Sequence, residues 1–502
     1  MRSIFFLFTL IFIQSKVQAQ ITSDALLFGE THPTINARSM ALGNALGALG
    51  GDMSTANLNP AGIAIYRRME MSLSFGALFD NSTTKFLENS TKDRMSQLSF
   101  GSAGMVFASR IRRKNSDWKS VNVGLTVNRL ANYARDFTYQ GASTGSRIQS
   151  FAENSYGIAT NDLDAYEGWM AYNAFLMDTV GGFNYVPNGG ISDSTFTTKY
   201  QNVKRTGGVN ELAFTIGGNY NNKLYLGATI GVDFMVMNED RVYQETSDSL
   251  DFRSMEFVEE RRVEGTGINL KLGMIYRINK LLRVGLAVHT PTAYRLTDAY
   301  NSGLSGQIVY DSLLRYNNYA MEDQDPYVLK HDLVTPWVFM GSVGLVIPKR
   351  GFIGLDVEYT DYSWSSFSLL EDEQTTANNK FINDLNDRIT NAYQGVLKAR
   401  IGAEIALGLA RVRLGYQFQT SPYQVSVAGV TDLRHDISAG IGLRWKHFYL
   451  DFGYVHTLKD FEYSPYNHST TIQRVTGRSQ TGHAMLTMGV AIFRDRFKHN
   501  SF

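Results

Sequence analysis

The chain has 502 residues, with 48 Lys and Arg against 47 Asp and Glu, 43% hydrophobic residues and no cysteine. A formal charge of +1 gives no global attraction to nucleic acid. Zero cysteines exclude disulfides, thiolate metal sites and cysteine nucleophiles together.

Residues 1–19 hold Arg2, an apolar run from Ile4 to Ile13, and small or aliphatic residues at Val17 and Ala19. This reads as a secretory signal peptide, cut by signal peptidase before Gln20. The run is half the roughly twenty residues that a spanning helix needs. Residues 20–68 form a segment without strand alternation. Within it Arg38 to Leu49, with Gly43 and Gly47 four apart, predicts a small-residue helix that packs closely on other backbone. Pro60 forces Asn59 out of helix and sets a turn at Asn59-Pro60-Ala61-Gly62.

From residue 69 the pattern changes to period two, the mark of strands with two unlike faces. Leu224, Leu226, Ala228, Ile230, Val232, Phe234 and Val236 stand against Tyr225, Gly227, Thr229, Gly231 and Asp233. Leu282, Val284, Leu286 and Val288 oppose Arg283, Gly285 and His289. Segments of this kind lie at 69–80, 94–110, 118–139, 200–221, 223–245, 255–279, 281–302, 326–347, 351–366, 395–408, 409–421, 433–446, 447–463 and 480–494. The total is even, as a bacterial barrel requires. Tight connections at Asn221-Asn222, Asn279-Lys280, Pro348 to Arg350, Gly408 and Lys446 alternate with long ones at 140–199, 303–325, 367–394 and 464–479. Short periplasmic turns and long external loops give that asymmetry.

The expected fold is therefore all-β, a 14-stranded antiparallel transmembrane β-barrel over residues 69–494, with residues 20–68 as a small helical hatch in its lumen. Residues 495–502 form a C-terminal tail, and Phe493, Phe497 and Phe502 compete as the terminal aromatic of the assembly signal. A soluble sandwich or propeller also alternates, but it does not repeatedly carry a long apolar face opposite a polar one. A barrel of this size is not filled by its own side chains, so residues 20–68 plug it. Parity puts Asp233, Lys271, Arg277, Arg283, Asp356, Glu358, Lys398, Arg400, Glu404, Arg411, Arg413, Arg444 and Asp451 inside. They either pair and hold the barrel's shape, or one or two of the bases bind a substrate carboxylate; Arg283, Arg400, Arg411 and Arg413 are the candidates. Gly101 and Gly104, or Asn132 to Arg135, mark candidate bulges or kinks.

Two further sets of residues carry a family likeness: Ala37-Arg38-Ser39-Met40-Ala41-Leu42-Gly43 followed by Asn59-Pro60-Ala61-Gly62, and Gly265 to Asn269 with Leu272-Gly273, Tyr276 and Arg283 to Leu286. With Pro336, Gly344, Asp356, Trp364, Gly402-Ala403-Glu404, Arg413 to Tyr416 and Ser421-Pro422, the chain resembles the FadL/TodX family of outer-membrane transporters for long-chain fatty acids and other hydrophobic compounds. The resemblance implies a hatch with the Asn-Pro-Ala turn at its core. It also implies capture of a fatty acid or hydrophobic molecule at external loops, a site in the upper lumen, and exit through the wall. Outer-membrane lipids, and the barrel assembly machinery during export, are the implied partners. The loop 140–199 matches no family motif.

Chemical motifs do not add an enzyme. Gly141-Ala142-Ser143-Thr144-Gly145 fits G-x-S-x-G, but that motif needs a strand-to-helix elbow in an α/β sheet. No histidine pair has metal-ligand spacing, and no phosphate loop or nucleic-acid stripe occurs. The expectation is a passive uptake channel with no cofactor and no metal. Alternatives are a structural or adhesive barrel, a haem or hemin receptor using residues such as His331 and His468, and an outer-membrane lipase.

Overall fold

A computed structural model describes residues 14–492 apart from 112, 114–115, 249, 311–312, 320–324, 371–373, 426–432, 467 and 469–472. The expected tail and the terminal aromatics Phe493, Phe497 and Phe502 lie outside the described residues. Fourteen antiparallel wall strands follow in chain order: β1 (Met69–Phe86), β2 (Asn89–Arg110), β3 (Trp118–Asn132, then Arg135–Thr144), β4 (Phe196–Tyr220), β5 (Leu224–Thr246), β6 (Phe252–Arg277) and β7 (Leu282–His289, then Ala293–Tyr310). β8 (Leu313–Tyr319, Tyr327–Val334 and Val338–Ile347), β9 (Gly351–Asp361, then Ser366–Leu369), β10 (Gly395–Leu407), β11 (Ala410–Gln419), β12 (Arg434–Arg444), β13 (Phe448–Tyr463) and β14 (Val475–Ile492) complete the wall. β14 pairs with β1 from Met69–Ile492 to Lys85–Thr476, which closes the barrel.

The alternation produces two surfaces. Outward residues such as Leu73, Phe75, Phe79, Ile230, Phe234, Leu286 and Ile441 are exposed and form the apolar belt. Their inward neighbours Ser74, Thr229, Asp233, Asp356 and Asp451 are buried. That inversion of the soluble pattern is what a lipid-facing barrel requires. Asn221 and Asn222 take φ of 52° and 53° in the turn between β4 and β5, the left-handed pair that tight hairpins favour.

Strand heights differ around the wall. β4, β5 and β6 have 25, 23 and 26 residues, whereas β11 and β12 have 10 and 11. The surplus rises outside the belt. For this reason 303–325, expected as a loop, is largely strand: β7 continues to Tyr310 and β8 returns from Leu313. The two alternating segments were legible, but their polar upper halves read as loop. Two helices, α1 (Gln14–Gly29) and α6 (Thr376–Ala392), pack on one another under the rim, with Ala25, Leu26, Phe28, Leu385 and Ile389 in one core with Leu333 and Tyr393. The loop between β3 and β4 carries α4 (Arg147–Ser155) and α5 (Gly168–Asn173) over a second core that includes Phe151, Met170, Phe252 and Phe257.

Candidate functional site

The hatch fills the lower lumen. The expected helix from Arg38 to Leu49 is shorter than its composition suggested: α2 covers Ala37–Ala41, after which Gly43 and Asn44 adopt φ of 59° and 61° and the chain proceeds in turns to the short helix α3 (Thr55–Leu58). Left-handed residues cannot continue a helix. Asn36 caps α2 through Ser39 N at 2.8 Å, and its own amide donates to Asp52 Oδ1 at 2.6 Å.

Asn59-Pro60-Ala61-Gly62 lies at the centre. Fully buried Asn59 accepts from Ala61 N at 3.2 Å, which caps the 3-10 helix Pro60–Ile65, and donates to Gly47 O at 2.7 Å and Met274 O at 3.2 Å. Pro60 is the first residue of that helix, where its missing N–H costs nothing. Gly62 abuts Thr55, whose Cβ stands 2.6 Å from where a side chain would begin.

Around the hatch, wall glycines replace side chains. A Cβ on Gly285 would stand 2.7 Å from Gly47 O, one on Gly217 2.8 Å from Ala64 N, and one on Gly101 2.7 Å from Ile35 O. Gly227 and Gly273 face Pro60 and Asn59, and Gly354, Gly402, Gly415 and Gly453 press still closer on hatch backbone. Real Cβ atoms do not tolerate such distances, so hatch backbone touches wall backbone all the way round.

Charged residues lock the same level. Glu211 meets Lys271 and Asn57, and Asp233 accepts from Tyr294 OH at 2.7 Å. Arg400 joins Glu358 at 2.7 Å and Gln417 at 2.8 Å, with Lys398 at 3.2 Å from Glu358. Arg413 holds Glu404 and Asp451, each at 2.7 Å, and Arg38 of the hatch reaches Glu404 at 3.3 Å and Asp52 at 3.4 Å. Arg283 donates to Leu49 O of the hatch at 2.7 Å. Arg411 lies at the periplasmic turn, donating to Gly408 O and Ala410 O. None of these four bases lines the large cavity described next.

That cavity, of about 520 Å³, sits above the hatch between α1 and the external loops. Leu26 and Leu27 of α1, Phe137, Val203, Phe461 and Tyr463 supply apolar wall, and Arg147, Arg205, Arg241, Arg261 and Lys459 supply charge. Each of these cations has a carboxylate. Arg147 pairs with Glu259 at 3.1 Å and Glu167 at 3.6 Å, Arg205 and Arg241 share Glu239, Arg261 lies between Asp24 and Asp298, and Lys459 reaches Glu30 at 3.3 Å. Burial works against the Arg147 charge, but Glu259 and Glu167 outweigh it and hold the guanidinium above its ordinary pKa.

Arg135 differs. It opens the upper half of β3 opposite Arg205, seven residues beyond the belt residue Leu212 on β4. Its guanidinium lies 3.6 Å from the centroid of Phe461 and 5.3 Å from that of Phe137. Among the described residues no hydrogen bond or ion pair reaches it, and Nε is buried without a partner. Burial, with the charge of Arg205, lowers its pKa to about 10. Sequence reasoning missed these cavity residues because the inward set was read only through the belt. The same parity continues upward through Arg205, Arg241 and Arg261.

The kink expected at Asn132 to Arg135 is present. β3 shifts register between Arg129 and Ala131 and breaks after Asn132. β2 pairs with β3 only from Ser102–Asn128 to Arg110–Ser120, while above that the rest of β3 pairs with β4 and turns inside β1 and β2. Thr84 Oγ1 donates to Thr138 O, and Thr138 N donates to Asp93 Oδ2 at 2.7 Å. Residues 96–100 of β2 thus have a ladder partner on one side only, at the height of the upper belt, and Gly101 is bulged out of the ladder. Gln97 Nε2 crosses the break to Asn132 Oδ1 at 3.2 Å.

Ser143 Oγ donates to Gln473 Oε1 at 3.0 Å, so its hydrogen bond goes to an amide and not to a histidine base. Among the described residues no group of three His, Asp or Glu is placed to hold a metal.

A family model described as BamG matches residues 181–447. No curated protein matches the chain. Among solved structures, a Pseudomonas aeruginosa FadL homologue aligns with TM-score 0.55 at 12% identity, covering 92% of this chain and 99% of that one. The Ralstonia pickettii toluene transporter TbuX aligns with TM-score 0.51 at 12% identity over 91% and 98%. The P. putida toluene transporter TodX gives TM-score 0.51 at 12% identity over 93% and 100%. The likeness is one of fold, a closed fourteen-stranded antiparallel barrel with helical N-terminal segments.

Proposed function

The chain belongs to the BamG family, and on that premise we propose that it is an outer-membrane carrier that takes hydrophobic or amphiphilic small molecules, long-chain fatty acids among them, into the cavity above its hatch. The observation that carries this reading is Arg135, a half-buried guanidinium over the ring of Phe461 at the wall of a 520 Å³ cavity, with Nε buried and no carboxylate of its own. Taking an unpaired charge even partly out of water is unfavourable. A cation–π contact returns only about 1–2 kcal/mol. An acidic headgroup at Arg135, with its tail against Leu26, Leu27, Phe137 and Phe461, removes the deficit.

In this reading Arg283, Arg400, Arg411 and Arg413 hold the barrel's shape and the hatch, and do not meet cargo. Exit is sideways, through the break between β2 and β3, because a hydrophobic cargo then never crosses water. Signal peptidase cuts before Gln20, leaving the rest of α1 in the lumen. N-terminal sequencing of the mature protein checks that boundary.

Binding of a fluorescent long-chain fatty acid to the purified protein, and uptake by a strain deleted for it, test the reading. Saturable binding lost in Arg135→Gln is expected. Equal binding by the variant, or unchanged uptake for every hydrophobic compound tried, overturns it. The family name supports a second reading, in which this barrel works beside the barrel assembly machinery. A hatch fixed through backbone suits such a structural role, and co-purification with that machinery from crosslinked outer membranes is its test.

A further inference from the structure

On the outer wall, β1 and β2 carry an unbroken apolar face and then an abrupt basic one. Across β13, β14, β1 and β2 the register places Phe452, Leu486, Phe75 and Phe100 in one row, and Tyr454, Ala484, Ala77 and Leu98 in the next. Phe79 closes the belt on β1. The following outward positions are Asn81 beside Arg94, Thr83 beside Lys92, and Lys85 beside Ser90. Two residues of a strand tilted by about 40° climb about 5 Å. Arg94, Lys92 and Lys85 therefore stand about 5, 10 and 15 Å above the apolar boundary.

All three side chains are exposed. Among the described residues no hydrogen bond or ion pair involves any of them. Three other outward cations of the upper wall are matched, Arg262 with Glu264 at 2.9 Å, Arg295 with Asp332 at 3.0 Å, and Arg478 with Asp460 at 2.7 Å, while Lys204 and Lys330 stand singly and form no cluster. The nearby carboxylates do not serve the three. Asp93 and Asp80 point inward, to Thr138 N and to Ser479 and Thr481, and Glu88 sits at the hairpin tip. Three like charges on adjacent registers repel one another, and such a cluster beside a membrane is built for anionic headgroups.

We propose that Lys85, Lys92 and Arg94 form a binding site for the phosphate groups of an outer-leaflet glycolipid whose acyl chains lie along Phe75, Phe79, Leu98 and Phe100. The source of the phosphate is a lipid because the cations stand directly over the belt. A soluble phosphate has no use for that apolar face.

Full-length protein in detergent, titrated with phosphorylated lipid A, with the same lipid stripped of phosphate and with inorganic phosphate, tests this. Phosphorylated lipid A is expected to bind about ten-fold more tightly than the stripped lipid, and Lys85→Ser/Lys92→Ser/Arg94→Ser to remove that advantage. Arg262→Ser should leave it intact. Single Lys92→Gln and Arg94→Gln chains, each expected to lose part of it, guard against a triple variant that fails to fold. Wild-type affinity in the variants, equal binding of the stripped lipid, or displacement of the lipid by millimolar inorganic phosphate overturns the proposal.

Discussion

Arg135 and Asn59 show opposite uses of an inward polar side chain. Asn59 spends its amide and its carbonyl on hatch and wall, so Asn59→Ala strands Gly47 O and Ala61 N without partners. A loss of about 1–3 kcal/mol in hatch protection is expected, read by hydrogen exchange of residues 37–66. Arg135 has no such partners, so Arg135→Met is expected to hold or raise the thermal unfolding temperature while anionic amphiphiles lose affinity. A drop in stability would mean that the guanidinium supports the fold. Asn59 was legible in the sequence, since a turn before proline has few solutions. Arg135 was not, because its meaning comes from Phe461, more than three hundred residues away along the chain.

Strands were the most legible elements. Period two fixes which side chain meets lipid, and one slipped residue would turn a whole face over. Inward glycines such as Gly227, Gly273 and Gly285 were visible on polar faces, but what they face is set only when fourteen strands are assembled. Gly402→Val is expected to push the hatch from its seat against Leu42, detected as new protease cleavage within residues 37–66. The upper halves of β7 and β8 escaped notice because polar strands above a membrane have no apolar face to announce them. At the break between β2 and β3, Gln97 and Asn132 already touch. In a chain without cysteine, Gln97→Cys/Asn132→Cys introduces a single possible disulfide. Oxidation is expected to stop release of bound amphiphile while leaving its binding unchanged, and a reductant should restore release.

At the scale of the whole molecule, the barrel is sealed below and roofed above, with its cavity between the two. Deleting residues 20–68 is expected to convert a non-conducting protein into a pore with stable steps in a planar bilayer. Continued silence would place the seal in the external loops. The sealed base has a consequence for how the molecule holds together. Hatch backbone rests against glycines on strands from β2 to β13, and Ala37 N donates to Thr487 Oγ1 of β14, at the seam with β1. One short segment thus ties both ends of the wall to a common hub, and the intact chain is expected to unfold at a higher temperature than the open pore left by the deletion.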